Sequence, residues 1–201
     1  MRTGRERIPG ITGVILAGGS SSRMGRDKAL LPVRGERLIE SIYRQVSEMF
    51  DEVLLVTNQP ERYRFLPCRS VRDIYPGMGA LAGIHAGLFH SANPRIFAVA
   101  CDMPYLNEEL ARVLVERLGA CDVVIPESDK GMEPLYAIYG KGALPAIEES
   151  LAAGHLRIVS FFDRIRVACA DRDEVSRVDP TFKTFRNINT PEEYFTFLRN
   201  V

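Results

Sequence analysis

Hydrophobic positions in the first half of the chain follow two alternating patterns. Short apolar runs rich in β-branched residues are typical of strands buried on both faces of a parallel sheet. Between them lie amphipathic segments at helical spacing and one segment rich in glycine and alanine, which favours a helix packed closely on a sheet. The predicted strands are 11–16, 53–57, a short one at 71–73 and 96–101, and the predicted helices are 36–50, 61–65 (short), 78–90 and 108–118. Strands separated by helices in this way predict right-handed crossovers.

The second half of the chain has a mixed pattern. It predicts strands at 123–125, 135–139 and 165–168, the last at an edge, and helices at 143–152 and 191–198. Thr190 is placed as the N-cap of the final helix, with Pro191 at its first position. We therefore predict an α/β fold of three layers, with a doubly wound, mostly parallel sheet and a small mixed C-terminal part. One domain is expected over 11–201, after a flexible lead-in at 1–10.

Composition and charge narrow the class of protein. The 26 basic and 26 acidic residues balance, so no broad field favours nucleic acid or an anionic membrane. No apolar run is long enough to cross a bilayer, and the charged start lacks the core of a signal peptide. The four cysteines form no C-x-x-C pair, which argues against zinc or a disulfide framework. We expect reduced thiols and a cytoplasmic location.

The loop at 16–28, Leu-Ala-Gly-Gly-Ser-Ser-Ser-Arg-Met-Gly-Arg-Asp-Lys, is the strongest functional signal. Its glycines allow close approach of the backbone to a ligand, and Arg23 and Lys28 can neutralise phosphate charge. It matches neither the P-loop, since Gly25 is not followed by Lys-Ser/Thr, nor the dinucleotide pattern G-x-G-x-x-G. The loop predicts nucleotide binding with chemistry at phosphorus. The alternative is an ordinary strand-to-helix turn with solvated charges.

Polar residues also follow the other predicted strands. Asp102 follows the strand at 96–101 and is a candidate magnesium ligand, because Mg²⁺ often takes one or two carboxylates plus substrate phosphates. Asp73, the glycines at 77–83 and Asn58 are candidates for holding a base or ribose. Asn187 and Asn189 lie two apart, so on an extended segment they face one way toward a second substrate. Each has a structural alternative: a turn or capping residue, a helix made smooth for packing, or a helix-entry turn.

Assembled, these motifs closely resemble the molybdenum cofactor guanylyltransferases, within the Rossmann-like nucleotidyltransferases. The resemblance runs from about 11 to 198. It rests on the loop at 16–28, on Asp73 with Gly77–Gly83, on Cys-Asp-Met-Pro at 101–104, on Pro-Leu-Tyr-Ala-Ile-Tyr at 134–139 and on Asn-Ile-Asn-Thr-Pro at 187–191. Members of this family join the GMP part of GTP to the phosphate of molybdopterin or its molybdenum form, and release pyrophosphate.

The resemblance implies roles for particular residues. Arg23, Lys28 and Asp102 are the implied catalytic residues, and Asp102 is the implied ligand of Mg²⁺, the expected cofactor. The implied nucleotide contacts are Leu16, Ala17, Gly18, Gly19, Lys28, Asn58, Asp73, Gly79 and Asp102. Arg157, Asn187 and Asn189 are the implied molybdopterin contacts. Molybdoenzymes or their chaperones are candidate protein partners.

The resemblance also bears on the choice of nucleobase and acceptor. Related cytidylyltransferases carry Leu-Ala-Ala-Gly where this chain has Leu16–Gly19, so we hypothesise that Gly18 gives room for a purine. Glu133 departs from the neutral polar residue expected before Pro134, and an unpaired charge there would repel an anionic acceptor. The remaining alternatives are a nucleotidyltransferase that uses CTP or another phosphate acceptor, and a non-catalytic module that binds nucleotides.

Overall fold

A central sheet lies between two layers of helices in the computed structural model, which describes residues 6–18 and 27–200. In chain order the strands are β1 (Ile8–Leu16), β2 (Pro32–Val33), β3 (Glu36–Arg37), β4 (Phe50–Val56), β5 (Arg69–Val71), β6 (Arg95–Ala100), β7 (Val123–Ser128), β8 (Gly131–Met132), β9 (Tyr136–Gly140) and β10 (Val167–Ala170). The α-helices are α1 (Leu38–Met49), α2 (Gly79–His90), α3 (Glu108–Glu116), α4 (Leu144–Ala152), α5 (Arg172–Val178) and α6 (Pro191–Arg199).

The main sheet has the order β10-β7-β9-β6-β1-β4-β5, and β8 pairs with β7. β1 lies between β4 and β6 and is parallel to both, while β9 runs antiparallel to its neighbours β6 and β7. The predicted three-layer, mostly parallel α/β fold is therefore confirmed. So is the mixed character of the later part, where β10 forms the predicted edge strand.

Alternating side chains on the strands supply two separate cores, because successive residues of a strand point to opposite faces. On β1, Ile15 packs in the core beneath α1 and α3, whereas Val14 packs beneath α2 and α4. Glycines allow α1 and α2 to pack closely against β1. A Cβ on Gly13 would lie 2.3 Å from Val46 Cγ1 of α1, and a Cβ on Gly87 of α2 would lie 2.9 Å from Val14 Cγ1.

Several predicted boundaries were wrong, and two of them have a clear physical reason. β1 begins at Ile8, which pairs with Phe50, so residues 8–10 belong to the sheet and not to a flexible lead-in. The helix predicted to begin at residue 36 begins at Leu38, because Glu36 and Arg37 pair with β2 in a short hairpin. Positive φ angles at Arg34 and Gly35 make the tight turn of that hairpin.

Several short elements had no counterpart in the sequence prediction. They include the β2–β3 hairpin, β8, α5 and the 3₁₀ helices at Lys28–Leu30 and Ile158–Arg164. Among the residues with described positions, no helix is long and apolar enough to cross a membrane. All four cysteines are free thiols, as predicted.

Candidate nucleotide and metal site

The carboxyl ends of three neighbouring strands meet at one edge of the sheet. The Cys101 amide donates to the Leu16 carbonyl at 3.1 Å, and the Ala17 amide donates to the Val56 carbonyl at 2.9 Å. These bonds hold the ends of β1, β4 and β6 in register, so Gly18 and Asp102 emerge at the same edge. This is the crevice in which open α/β sheets bind ligands.

Lys28 and Asp102 come together at this edge. Lys28 Nζ lies 3.8 Å from Asp102 Oδ2 and donates a hydrogen bond of 2.6 Å to Asn189 Oδ1. Both charged side chains are largely buried, with exposed fractions of 17% for Lys28 and 18% for Asp102. The fold thus gathers one cation, one carboxylate and one amide from three segments that are far apart in sequence.

The environment of Asp102 makes its charge costly. Burial raises the pKa of Asp102 above its ordinary value. The Lys28 ammonium and a backbone hydrogen bond lower it, and the more distant Glu193 carboxylate raises it. The net shift is upward, because desolvation outweighs the attraction of Lys28. A partly desolvated carboxylate of this kind gains from a bound cation.

A network that the sequence analysis missed holds Lys28 in place. Asp27 caps the 3₁₀ helix at Lys28–Leu30 by accepting a hydrogen bond from the Ala29 amide at 3.1 Å. The other carboxylate oxygen of Asp27 accepts from the Tyr63 hydroxyl at 2.8 Å and pairs with Arg62 at 3.2 Å. Burial raises the pKa of Tyr63, so its hydroxyl remains a donor. The sequence alone can indicate that an Asp begins a helix. It cannot indicate that the partners of Asp27 are two residues 35 or more positions further along the chain.

Asn58 and Asp73 fix each other beside this site. The Asn58 amide donates to Asp73 Oδ2 at 2.8 Å, and the Asp73 backbone amide donates to Asn58 Oδ1 at 3.2 Å. The second carboxylate oxygen of Asp73 faces α2, 3.9 Å from the position that a Cβ on Gly83 would occupy. Burial raises the pKa of Asp73, and the hydrogen bond from Asn58 partly offsets that rise.

Glycines leave open space around the same edge. Apart from adjoining residues of the same segment, no described residue has an atom within 4 Å of the position that a Cβ would take on Gly18 or on Gly79. Gly79 begins α2 with a φ of +72°, a conformation that L-residues rarely adopt. The Ala17 amide and Leu16 carbonyl are engaged in the sheet. The first backbone group that can contact a ligand is therefore the Ala17 carbonyl.

The two C-terminal asparagines are brought to Asp102 by their own segment. The Ile188 amide donates to the Asp102 carbonyl at 2.9 Å, and the Ile188 side chain is buried. Asn187 and Asn189 flank Ile188 and are half-buried, as expected when alternate residues face one way. Asn189 contacts Lys28, whereas Asn187 makes no side-chain hydrogen bond to any residue that the structure describes.

Arg157 and Glu133 lie farther along the same edge. Because β9 runs antiparallel to β6, α4 returns toward this edge, and Arg157 follows its end with an exposed side chain. In the described part of the chain it forms no hydrogen bond or ion pair with Lys28, Asp102 or Asn189. Glu133 precedes β9 and accepts a hydrogen bond of 2.6 Å from the Ser128 hydroxyl, and burial raises the pKa of its carboxyl.

Two predicted residues fall outside the described ranges. Gly19 and Arg23 belong to residues 19–26, which lie outside those ranges. Their roles stay predictions from the sequence. Within the described ranges, the structure brings together Lys28, Asp102 and Asn189 at the end of β6, and Asn58 with Asp73 beside β4 and β5.

Two further reactive side chains are those of Cys101, next to Asp102, and of His85, in α2. Burial raises the pKa of the Cys101 thiol, so it stays protonated and is a poor nucleophile. His85 is buried in α2, and its Nε2 lies 3.0 Å from Glu148 Oε1 of α4, on the face away from α1. Neither group provides a general base beside Asp102.

The mostly parallel sheet flanked by helices is the fold of Rossmann-like nucleotidyltransferases among the solved structures. Residues 13–171 match the family described as "MobA-like NTP transferase domain". The chain belongs to this family and is a nucleotidyltransferase of molybdenum cofactor biosynthesis.

Individual relatives agree with this assignment. A "Probable molybdenum cofactor guanylyltransferase" of Pelotomaculum thermopropionicum is 40% identical over 90% of this chain and 89% of its own length. The "Molybdenum cofactor guanylyltransferase" of Desulfosudis oleivorans is 35% identical over 91% of this chain and 92% of its own. The crystal structure of "Molybdopterin-guanine dinucleotide biosynthesis protein A" from Archaeoglobus fulgidus superposes with a TM-score of 0.82. It is 27% identical and covers 94% of this chain and 98% of that one.

Proposed function

We propose that this protein transfers GMP from GTP to the terminal phosphate of molybdopterin or its molybdenum form, with magnesium, and releases pyrophosphate. The observation that supports this most directly is the meeting of Lys28 and Asp102 at the carboxyl edge of the sheet, 3.8 Å apart. One group can hold phosphate oxygens and the other a divalent cation. The names of the relatives support guanine as the base and the molybdenum cofactor as the acceptor.

The donor set at this edge fits magnesium. Asp102 offers carboxylate oxygens, and the described residues contain no group of three or more His, Cys, Asp or Glu side chains placed to hold a metal. Magnesium is often held by one or two carboxylates with substrate phosphates and water completing its shell. When bound, the ion would supply positive charge that neutralises substrate phosphates. Asp102 is the residue that we assign to hold it.

The reaction itself requires positioning and charge more than a proton carrier. An oxygen of the acceptor phosphate forms a bond to the α-phosphorus of GTP, and the bond from that phosphorus to the bridging oxygen breaks. Pyrophosphate leaves with the electron pair of the broken bond. Lys28, together with Arg23 from the loop, stabilises negative charge on the transferring and leaving phosphates. An acceptor phosphate is already an anion, so no general base is needed.

The nucleoside is assigned to the space between Gly18, the Asn58–Asp73 pair and the start of α2 at Gly79. The free oxygen of Asp73 can accept hydrogen bonds from a ribose hydroxyl or a base edge, and Asn58 keeps that carboxylate oriented. A purine needs more room than a pyrimidine, and a glycine without a Cβ at position 18 favours the larger base, with no described residue other than its chain neighbour crowding that position. Guanine is therefore the base that we assign.

The acceptor is assigned to the other side of Asp102. Asn187 presents a side-chain amide beside Ile188, and Arg157 adds an exposed cation at the same edge. Glu133 also lies on this side. Its carboxylate accepts a hydrogen bond from the neutral Ser128 hydroxyl, and the charge of Lys130 offsets only part of the cost of its burial.

The proposal is tested by incubating the protein with molybdopterin, magnesium and each nucleoside triphosphate in turn, and identifying the product by mass. We expect the guanine dinucleotide with stoichiometric pyrophosphate. A cytosine product, or transfer only to a different phosphate acceptor, would contradict the assigned substrates. Nucleotide binding without pyrophosphate release from any acceptor would identify a non-catalytic binding module.

A further inference from the structure

Asn189 lies in the acceptor segment by sequence, yet its contact is with the nucleotide loop. Its Oδ1 accepts the hydrogen bond of 2.6 Å from Lys28 Nζ, across 161 positions of the chain. The second neighbour of the ammonium, Asp102 Oδ2, is farther away at 3.8 Å. The shortest polar contact of Lys28 among the described residues is therefore with a neutral oxygen.

The backbone of Asn189 is itself firmly held. Its amide donates to Glu193 Oε2 at 2.6 Å, and the same oxygen accepts from the Thr190 amide at 3.0 Å in the capping box of α6. On the preceding residue, Ile188, the amide donates to the Asp102 carbonyl. The Asn189 side chain thus starts from a backbone fixed on both sides, which makes it a suitable anchor for a flexible partner.

A neutral anchor and an acidic anchor have different effects on a lysine. A free lysine side chain loses rotamer entropy when its ammonium is held in one place, so an anchor lowers the cost of presenting that ammonium to a ligand. A close carboxylate would provide an anchor but would also compensate the positive charge. An amide oxygen orients the ammonium and leaves its charge available for phosphate.

We propose that Asn189 is a positioning residue for the nucleotide and acts through Lys28. It holds the ammonium by its carbonyl oxygen and prevents a tighter ion pair between Lys28 and Asp102. This inference rests on the proposed function, because it assumes that Lys28 contacts the phosphates of GTP. It changes the role implied for Asn189, which then belongs to the nucleotide side of the reaction as well as to the acceptor segment.

The test is to titrate the full chain with GTP and magnesium by calorimetry, with no acceptor present. Asn189→Ala is expected to weaken GTP binding about tenfold, in line with the loss of one hydrogen bond to a charged group. Asn187→Ala, in the same segment and facing the same way, is the matched comparison. Its GTP affinity should change less than twofold, while its turnover with molybdopterin falls.

Two further variants separate positioning from a merely structural role. Asn189→Asp keeps the size of the side chain and a bond to Lys28 but compensates the charge of the ammonium, so we expect it to bind GTP at least as poorly as Asn189→Ala. In a background of Lys28→Met, adding Asn189→Ala should cost no further affinity. Thermal unfolding of each variant verifies that the fold is retained.

The outcomes distinguish this inference from the function on which it rests. GTP binding that is equal in the unaltered chain and in Asn189→Ala would overturn the inference, as would losses that add fully in the double variant. Failure of the unaltered chain to bind GTP at all would instead contradict the proposed function.

Discussion

Replacing Asp102 by asparagine should separate the activity of this protein from its stability. At an effective dielectric constant of about 20, unit charges 3.8 Å apart attract each other by about 4 kcal/mol. The pKa of Asp102 is nevertheless raised, so the cost of burying its charge exceeds what Lys28 and the backbone return. Asparagine has nearly the same shape and no charge. Lys28 keeps its hydrogen bond to Asn189 in this variant.

We therefore expect Asp102→Asn to gain about 0.5–2 kcal/mol of unfolding free energy at neutral pH without ligands, as is common when a strained functional group is removed. For a chain of this size, each kcal/mol raises Tm by about 2–4 °C. Turnover should fall on the order of a hundredfold or more, because the proposed metal ligand is lost. Lys28→Ala should be similarly inactive but not stabilised, since it leaves the Asp102 charge without its nearest cation.

Calorimetric unfolding of the unaltered chain and Asp102→Asn, together with a pyrophosphate-release assay, measures both effects. A Tm several degrees lower for Asp102→Asn would mean that the carboxylate is a structural partner of Lys28. Retained turnover would remove Asp102 from the metal site. Either result would contradict the claim that the Asp102 carboxylate lowers the stability of the protein but is required for its function.

Three other substitutions test separate parts of the site. Gly18→Ala should leave Tm unchanged, because apart from its chain neighbours no described residue lies within 4 Å of the added Cβ. It should lower kcat/KM for GTP relative to CTP, and an unchanged ratio would refute the role of Gly18 in base choice. Tyr63→Phe removes the hydroxyl that donates to Asp27, so the free energy of unfolding measured in urea should fall by about 1 kcal/mol. The KM for GTP should rise, and an unchanged KM would show that Lys28 does not need this hydrogen bond for its position. Glu133→Gln removes a half-buried negative charge that repels an anionic acceptor, so it should lower the KM for molybdopterin and leave the KM for GTP constant. A higher KM for molybdopterin would mean that the carboxylate binds the acceptor.

The sequence was sufficient to predict the layered architecture, for a physical reason. Strands buried on both faces, such as β6 and the later parts of β1 and β4, carry continuous apolar runs. The helices that cover them are amphipathic or rich in small residues. These local patterns also place Gly18, Asn58 and Asp102 at strand ends. Because β1 and β6 prove to be neighbours, residues after both strands reach one edge.

Short elements were harder to predict, because they carry little periodicity. The strands of the β2–β3 hairpin have two residues each, and α5 has seven residues with only Val175 buried. Asp171 and Glu174 form a capping box at the start of α5, which is a signal that the sequence did contain. The early start of β1 at Ile8 depends on its pairing with Phe50, which no local pattern indicates.

The connections within the site could not be predicted from the sequence. Lys28 meets Asn189, and Tyr63 supports Asp27, only because the chain folds back over long separations. Residue types and spacing identified Lys28, Asp102 and Asn189 as functional candidates. They could not show that a residue assigned to the acceptor holds the lysine assigned to the nucleotide.

The most direct measurement is a crystal structure of the protein soaked with GTP and magnesium. We predict that the triphosphate lies at the carboxyl edge of β1 and β6, with phosphate oxygens within hydrogen-bond distance of Lys28 Nζ and the metal ion on Asp102. A triphosphate bound elsewhere on the molecule, with Lys28 and Asp102 unchanged, would contradict the account.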